Sequence, residues 1–259
     1  MDPWIIYGTA WKKERTEPLV RLALTQGFRA IDTANQPKHY NEPAVGAAVA
    51  GSSIPRAELF LQTKFTPEDG HDERIPYDSN APLAEQVRQS FESSLEHLRT
   101  DYVDSYLLHG PYNHPGLGEE DWEVWRAMEA IHRSGRAKRI GISNVNPQQL
   151  EELVKGAEVK PLVVQNRCFA SRSWDDPVRA VCRRHGIAYQ GFSLLTANPQ
   201  VLAHEKIRDA AGKLGVTPEQ LVFRNSLRLG MVLLTGTTDP DHMTQDLAVR
   251  NLPEPPVSF

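Results

Sequence analysis

Short apolar or β-branched runs alternate along the chain with stretches whose apolar residues recur at helical spacing, as in residues 83–98 and 122–132. Strand-like runs begin at eight places: near Ile5, Arg29, Leu59, Val103, Ala137, Leu162, Ile187 and Val232. Residues 146–149 and 217–220 carry helix-start signals. Eight strands alternating with helices over about 250 residues predict an α/β fold, the (β/α)8 TIM barrel. A doubly wound open sheet is the alternative, but no G-x-G-x-x-G follows the first strand.

The composition is that of an ordinary globular protein. Hydrophobic residues make up 40% and charged residues 24% of the 259 residues, so the chain can bury a core without disulfides. The net charge of −4 disfavours nucleic acid and anionic membranes as partners. No apolar run approaches the ~18 residues that span a bilayer, and no basic segment of a signal peptide opens the chain. We therefore expect a cytoplasmic protein.

Two cysteines, Cys168 and Cys182, are too few for a disulfide framework or a four-thiolate metal site. The histidines and acidic residues show no recognised ligand spacing, so we expect no metal. No linker or change in composition divides the chain. We expect one domain over residues 1–259, with a Pro-rich tail at about 251–259 lying over its surface.

Polar residues stand where three predicted strands end. Asp32 ends the second strand, Lys64 ends the third, and His109 ends the fourth. In a barrel these ends meet at one mouth, where active sites lie. A Lys–Asp pair can lower the pKa of a nearby hydroxyl, and a His can hydrogen-bond a polarised oxygen. The long connections 66–81 and 110–120 should flank the same mouth, and the first is a candidate for shaping a substrate pocket.

Several segments together resemble the aldo-keto reductase family. Residues 27–34 (GFRAIDTA) are similar to the block around the family's catalytic Asp, and residues 60–64 (FLQTK) to its catalytic Lys strand. Residues 106–109 (YLLH) resemble its His strand, and residues 135–144 (GRAKRIGISN) its fifth strand. The resemblance covers nearly the whole chain, about residues 6–246.

The resemblance implies an enzyme that moves a hydride from NADPH to an aldehyde or ketone. A Tyr would donate the proton, Asp32 and Lys64 would tune that Tyr, and His109 would orient the carbonyl. The partner would be a small-molecule carbonyl compound, and the protein a monomer or small homo-oligomer. The resemblance places the nicotinamide and the adjoining part of the cofactor against these residues: Gly8, Thr9, Ala10, Asp32, Ser143, Asn144, Gln165, Phe192, Ser193 and Leu195.

The segment that should carry the catalytic Tyr departs from the family pattern. Two extra residues separate Asp32 from Asn41. Counted back from Asn41, the Tyr position holds His39, whereas Tyr40 is the nearby phenol. Tyr40 is the slightly favoured acid. His39 is the alternative, because an imidazolium with a pKa of about 6.5 is a competent acid at neutral pH. A third possibility is that neither side chain reaches the site.

A second departure lies after the eighth strand, where the family grips the adenosine 2′-phosphate with Lys and Arg. Gly236 stands at the Lys position, His242 at the Arg position and Asp246 at an Asn position. Hydroxyl groups and the N–H groups of a helix start can still hold a phosphate. The cofactor residues expected here are Gly236, Thr237, Thr238, His242 and Gln245. NADPH is the first expectation, on resemblance, and NADH is possible because two charge-assisted contacts are missing.

Two other functions remain open at this point. The altered Tyr segment allows a lyase, dehydratase or isomerase that uses His39 and His109 as an acid–base pair. The barrel could also be a non-catalytic subunit that binds a nucleotide. The chain lacks the hairpin that plugs the barrel bottom in many relatives, and its C-terminal substrate loop is short, so we expect an open pocket.

Overall fold

A computed structural model describes residues 2–254 and shows a closed barrel of eight parallel strands in sequence order. The prediction of a (β/α)8 barrel is confirmed. Residues 255–259, which make up most of the expected tail, lie outside the described residues. The strands are β1 Ile5–Gly8, β2 Ala30–Asp32, β3 Phe60–Phe65, β4 Ser105–Leu108, β5 Ile140–Ser143, β6 Val163–Arg167, β7 Ala188–Phe192 and β8 Met231–Thr235.

The helices form the outer layer. Those predicted from apolar spacing are present, at Leu83–Leu98 and Glu119–Arg133. Asn146 and Thr217 cap helices as their sequence signals indicate, each accepting from the N–H three residues on. The helices are α1 Thr16–Gln26, α2 Glu42–Ala50, α3 Leu83–Leu98, α4 Glu119–Arg133, α5 Pro147–Gly156, α6 Asp176–His185, α7 Pro199–Leu202, α8 Glu205–Leu214, α9 Pro218–Arg228 and α10 Pro240–Ala248.

The barrel interior is apolar below and polar above. Strand side chains alternate between the two faces, so one row of each strand packs under the helices and the other fills the barrel. Ile6, Ala30 and Phe60 form a small apolar cluster with the partly buried Val232 and Leu234. The next inward residues toward the carboxyl ends of β2 and β3 are Asp32 and Gln62. The polar side chains therefore stand on an apolar floor.

The amino-terminal end of the barrel is covered by side chains. The guanidinium of Arg139, just before β5, lies 5.8 Å from the ring centroid of Phe60 and pairs with Asp2. Within residues 2–254 no strand precedes β1. At the other terminus, Arg224 Nε in α9 donates to the backbone carbonyl of Leu252 at 2.8 Å. This bond ties the described start of the tail to the helical layer.

Helix α2 is fastened tightly to its neighbours. Asn41 caps the helix by accepting from the backbone N–H of Ala44 at 3.1 Å. The buried Glu42 accepts from Thr63 in β3 and, at 3.1 Å, from Ser94 in α3. Gly46 lets the two helices touch, since a Cβ there would stand 2.0 Å from the carbonyl oxygen of His97. These contacts fix the end of the segment that leads from β2 to α2.

Two features are absent from residues 2–254, a membrane-spanning helix and a cluster of metal-ligating side chains. None of the helices among residues 2–254 is both long and apolar enough to cross a bilayer. Across the same residues, no group of three or more His, Cys, Asp or Glu side chains is arranged to hold a metal ion.

Candidate active site

A buried ion pair joins β2 to β3 near the carboxyl ends of the strands. Lys64 Nζ lies 2.6 Å from Asp32 Oδ1, and the two side chains are 0% and 2% exposed. Lys64 also donates to the backbone carbonyl of Thr33 at 2.7 Å. Buried charges are tolerated when they are paired and hydrogen-bonded. The pair therefore acts as one unit beneath the barrel mouth.

Three glutamines extend the ion pair into a polar layer. Gln62 and Gln165 each donate to Asp32 Oδ1, at 2.8 and 3.0 Å. Both also donate to Gln190 Oε1, at 2.7 and 2.9 Å. Sequence reasoning singled out Gln165 and missed Gln62 and Gln190. The available signal was the two-residue spacing from Gln62 to Lys64, which puts both side chains on one face of the strand.

The segment between β2 and α2 absorbs the two extra residues in a tight turn. The N–H groups of His39 and Tyr40 both donate to the carbonyl of Gln36, each at 3.0 Å. Side chains anchor the turn on two sides. Asn35 donates to a backbone carbonyl of α3 at 2.9 Å, and Gln36 donates to one in the β3–α3 connection at 2.7 Å. The turn thus has a defined path over the mouth.

This path brings Tyr40 to the ion pair. The centroid of its ring lies 5.4 Å from Lys64 Nζ. The same ring lies 6.0 Å from the His109 ring, edge to face. The Tyr40 side chain is half-buried and so stays partly open to the mouth. The structure therefore brings together Asp32, Tyr40, Lys64 and His109 from three strand ends and one connection.

The His39 ring packs against Trp11. The two ring centroids lie 3.8 Å apart, and the backbone N–H of Trp11 donates to the His39 carbonyl at 2.7 Å. Nδ1 of His39 is buried without a hydrogen-bond partner. Burial, followed by the positive charge of Lys38, lowers the pKa of His39 below 6.5. The ring is therefore mainly neutral at pH 7.

His109 is held by a residue that sequence reasoning missed. Its Nδ1 lies 2.7 Å from the hydroxyl oxygen of Thr66, which follows β3. The Thr66 carbonyl accepts in turn from the Tyr77 hydroxyl at 2.8 Å and from His71 at 3.1 Å. Burial and the charge of Lys64 hold the pKa of His109 well below 6.5. At neutral pH the ring is an uncharged hydrogen-bonding group.

The pKa of Tyr40 shifts in the direction opposite to the lowering that the Lys–Asp pair was expected to cause. Burial raises the pKa of Tyr40 above its usual 10, and the charge of Asp32 raises it further. Burial lowers the pKa of Lys64, which the adjacent Asp32 carboxylate opposes. The phenol is fully protonated at neutral pH, with a buried cation-bearing side chain beside it.

A cavity of about 570 Å³ follows the β2–α2 segment. Trp11, His39 and Tyr40 line it together with Arg74 from the β3–α3 connection. The long connection at 66–81 therefore reaches the region of Tyr40 at two residues. Arg74 lines the same cavity, and Thr66 contacts His109, whose ring lies near Tyr40.

The residues expected at the nicotinamide lie along the ends of β5 to β7. Ser143 Oγ donates to the backbone carbonyl of Gln165 at 2.6 Å, and Asn144 Nδ2 to that of His109 at 2.8 Å. Asn144 has a left-handed φ of 55° and is exposed. Phe192 ends β7 half-buried, followed by Ser193 with φ 55° and by the half-buried Leu195. Side-chain amides and an aromatic ring thus surround one side of the mouth.

The first-strand segment contributes mainly its backbone. Gly8 pairs with Asp32 in the sheet register. Thr9 is fully buried, and both its N–H and its hydroxyl donate to the backbone carbonyl of Asp32, at 3.0 and 2.9 Å. Ala10 is half-buried. The Thr9 hydroxyl therefore has a partner within the barrel.

In the segment after β8, N–H groups at the start of α10 are bonded within the chain. Asp239 accepts from the N–H groups of Asp241 and His242, at 2.8 and 3.2 Å. The hydroxyl of Thr237 accepts from the Asp239 N–H at 3.2 Å. Thr238 and His242 are exposed and Gln245 is half-buried, with Gln220 donating to its carbonyl at 3.0 Å.

The chain is similar to known proteins over nearly its whole length. The model of the aldo/keto reductase family matches residues 4–256. A glyoxal reductase of Bacillus subtilis is 34% identical over 237 residues, covering 90% of this chain and 77% of its own. The methylglyoxal reductase DkgA of Salmonella typhimurium is 29% identical, covering 92% and 81%. The crystal structure of an aldo/keto reductase from Brucella melitensis superposes with a TM-score of 0.80 at 30% identity, covering 95% of this chain and 88% of that one.

Proposed function

The chain belongs to the aldo/keto reductase family and is an oxidoreductase, and we propose that it reduces a carbonyl compound to an alcohol with Tyr40 as proton donor. One observation carries the assignment of the acid. The Tyr40 ring lies 5.4 Å from Lys64 Nζ and 6.0 Å from the His109 ring.

The mouth of the barrel fits the nicotinamide end of a dinucleotide. Asn144 presents an exposed amide and Gln165 a carbonyl oxygen, both suited to a carboxamide, and Phe192 offers a ring on which the nicotinamide can stack. A bound reduced nicotinamide supplies the hydride. The protein then has to hold the substrate carbonyl near that position and provide the proton.

Tyr40 is the better placed of the two candidates, because its ring lies near Lys64 and His109. The phenol is protonated in the resting state. As negative charge develops on the substrate oxygen, the Lys64 side chain stabilises the phenolate that is left behind. The bond that Lys64 donates to Asp32 holds Lys64 in place for this task. The proton leaves the Tyr40 oxygen and ends on the product alcohol.

His109 orients the carbonyl without titrating. When the Thr66 hydroxyl donates to Nδ1 of His109, the neutral ring carries its hydrogen on Nε2. That hydrogen can bond the substrate oxygen from the side facing the mouth. The low pKa keeps His109 in this neutral form throughout the physiological range.

The relatives indicate the substrates to try first. Two of them are a glyoxal reductase and a methylglyoxal reductase. We infer that small 2-oxoaldehydes are substrates of this protein. Lyase or isomerase chemistry through His39 and His109 has less support, because the His39 ring packs on Trp11, whereas the Tyr40 ring lies near Lys64 and His109.

Two variants test the assignment of the acid. Tyr40→Phe should lower kcat for methylglyoxal reduction by at least about 100-fold, the usual share of a general acid, with the nucleotide Kd unchanged. His39→Gln is the matched neighbour and should change kcat only a few-fold. A large loss in His39→Gln alone would move the role of acid to His39. Failure of the unmodified protein to reduce any aldehyde or ketone in a broad panel would reject the proposed function.

A further inference from the structure

The first turn of α10 is capped by the chain's own carboxylate, that of Asp239. The N–H groups of Asp241 and His242 donate to the same oxygen of Asp239, Oδ1. These bonds keep the pKa of Asp239 below its usual value, so the cap is a carboxylate at neutral pH. A phosphate at this helix start would meet occupied donors and a like charge.

The surrounding residues add negative rather than positive charge. Asp241 puts a second exposed carboxyl in the same turn, and residues 235–248 contain neither Lys nor Arg. Asp246 is buried and accepts from the Thr235 hydroxyl at 2.7 Å. A 2′-phosphate is usually gripped by charge-assisted bonds from Lys or Arg. This set of residues does not fit a 2′-phosphate.

The same set fits a hydroxyl group. Both bonds to Asp239 end on Oδ1, which leaves Oδ2 as an acceptor. Acidic side chains that accept from the ribose 2′-hydroxyl mark NAD-binding sites in other folds. A hydroxyl can donate to Asp239, whereas a phosphate dianion cannot.

One cation approaches from the other side. Lys12, in the β1–α1 connection, donates from Nζ to the backbone carbonyl of Gly236. The same nitrogen lies 3.4 Å from the place where a Cβ of residue 236 would stand. Lys12 thus reaches the position at which the resemblance expects a Lys. That position, Gly236, directly follows β8 and precedes the turn that contains Asp239 and Asp241.

We propose that this chain selects NADH over NADPH, with Asp239 accepting the ribose 2′-hydroxyl and, together with Asp241, repelling a 2′-phosphate. Lys12 serves the diphosphate that both dinucleotides share. The proposal rests on the use of a nicotinamide dinucleotide proposed above, and it reverses the order of the two cofactors that the resemblance implies.

Calorimetric titration of the full-length protein with NADH and with NADPH tests the proposal without turnover. NADH should bind at least about tenfold more tightly, because opposing like charges are costly at a binding site. Asp239→Asn keeps an oxygen for both N–H groups and removes the charge. This variant should lower the ratio of NADH affinity to NADPH affinity at least about threefold, mainly by strengthening NADPH binding. Adding His242→Arg should narrow the ratio further.

Two controls accompany this variant. Glu119→Gln removes an exposed first-turn carboxyl from α4 and should leave the ratio unchanged. Lys12→Met should change both affinities by the same factor. A selective loss of NADPH binding in Lys12→Met would overturn the proposal, because Lys12 would then hold the 2′-phosphate.

The other outcomes are also decisive. NADPH binding that equals or exceeds NADH binding in the unmodified protein overturns the proposal, and so does an unchanged ratio in Asp239→Asn. A preference for NADPH together with intact methylglyoxal reduction rejects this inference and leaves the proposed function standing. Absence of binding by either nucleotide rejects both.

Discussion

The Thr66 hydroxyl lies 2.7 Å from Nδ1 of His109, and each residue follows the end of its own strand. β3 and β4 are neighbours in the barrel, with Phe65 paired to Leu108, so the two side chains leave the sheet side by side. On the proposed function, the neutral His109 ring needs a fixed orientation to offer a hydrogen to the substrate. We therefore propose that Thr66 is a positioning residue.

Replacing Thr66 by Val keeps the shape and removes this bond. We expect kcat/KM for methylglyoxal to fall about tenfold, in line with a hydrogen bond worth about 1 kcal/mol or slightly more. Thr66→Ser should restore most of the activity. Nucleotide affinity and Tm, measured on both variants, should stay close to those of the parent. A loss that Thr66→Ser does not rescue would assign Thr66 a merely structural role.

Breaking the buried ion pair should affect stability and activity separately. Lys64→Met leaves the Asp32 carboxylate buried without its cation, and removal of one partner typically costs about 3–5 kcal/mol. The double variant Asp32→Asn, Lys64→Met removes both charges and should regain most of the free energy of unfolding in urea. Reduction should stay absent in both variants. A double variant no more stable than Lys64→Met would contradict this account of the pair.

The contact between α2 and α3 predicts a glycine-specific effect. Gly46→Ala places a methyl group 2.0 Å from the His97 carbonyl oxygen, so the helices must separate. We expect a loss of about 1–3 kcal/mol, as for other overpacked sites. Gly212 in α8 has nothing within 4 Å of its would-be Cβ, and Gly212→Ala should stabilise by about 0.4–1 kcal/mol. Denaturant unfolding of the two variants should show opposite signs.

Asp246 should make stability depend on pH. Burial raises its pKa from 3.8 to about 6, so the folded state holds this proton more tightly than the unfolded state. Stability from this group is therefore complete below about pH 4 and is lost as the pH rises through about 6. Asp246→Asn removes this dependence. It should be more stable than the parent by about 2–3 kcal/mol at pH 8, with the difference shrinking toward pH 4. The measurement is denaturant unfolding of both proteins at several pH values between 4 and 8. A stability difference that stays constant over this range would contradict the prediction.

The architecture and three of the central residues follow from local patterns. Strand-like runs and capping signals predicted the barrel, and strand ends predicted that Asp32, Lys64 and His109 would meet. These signals work because a barrel turns a position along a strand into a position in space. Gln62 and Gln190 were missed because their bonding partners lie on other strands, which the pattern along one strand does not reveal.

Counting residues did not separate Tyr40 from His39. The path of the turn between β2 and α2 depends on bonds to distant parts of the chain, such as that from Asn35 to a carbonyl of α3. Asp239 is a different case, because an Asp directly before a Pro at a helix start is a readable cap. The family pattern indicated that Lys and Arg are absent here, but it did not indicate that Asp239 caps the helix.

The turn that carries Tyr40 is held by unrelated fastenings: side chains of Asn35 and Gln36, the backbone bond from Trp11 to His39, and the Asn41 cap of α2. Such redundancy makes the position of the phenol tolerant of change. Losing one fastening leaves the others to keep the ring near Lys64 and His109. The residues that line the cavity along this turn can therefore change without displacing the Tyr40 ring.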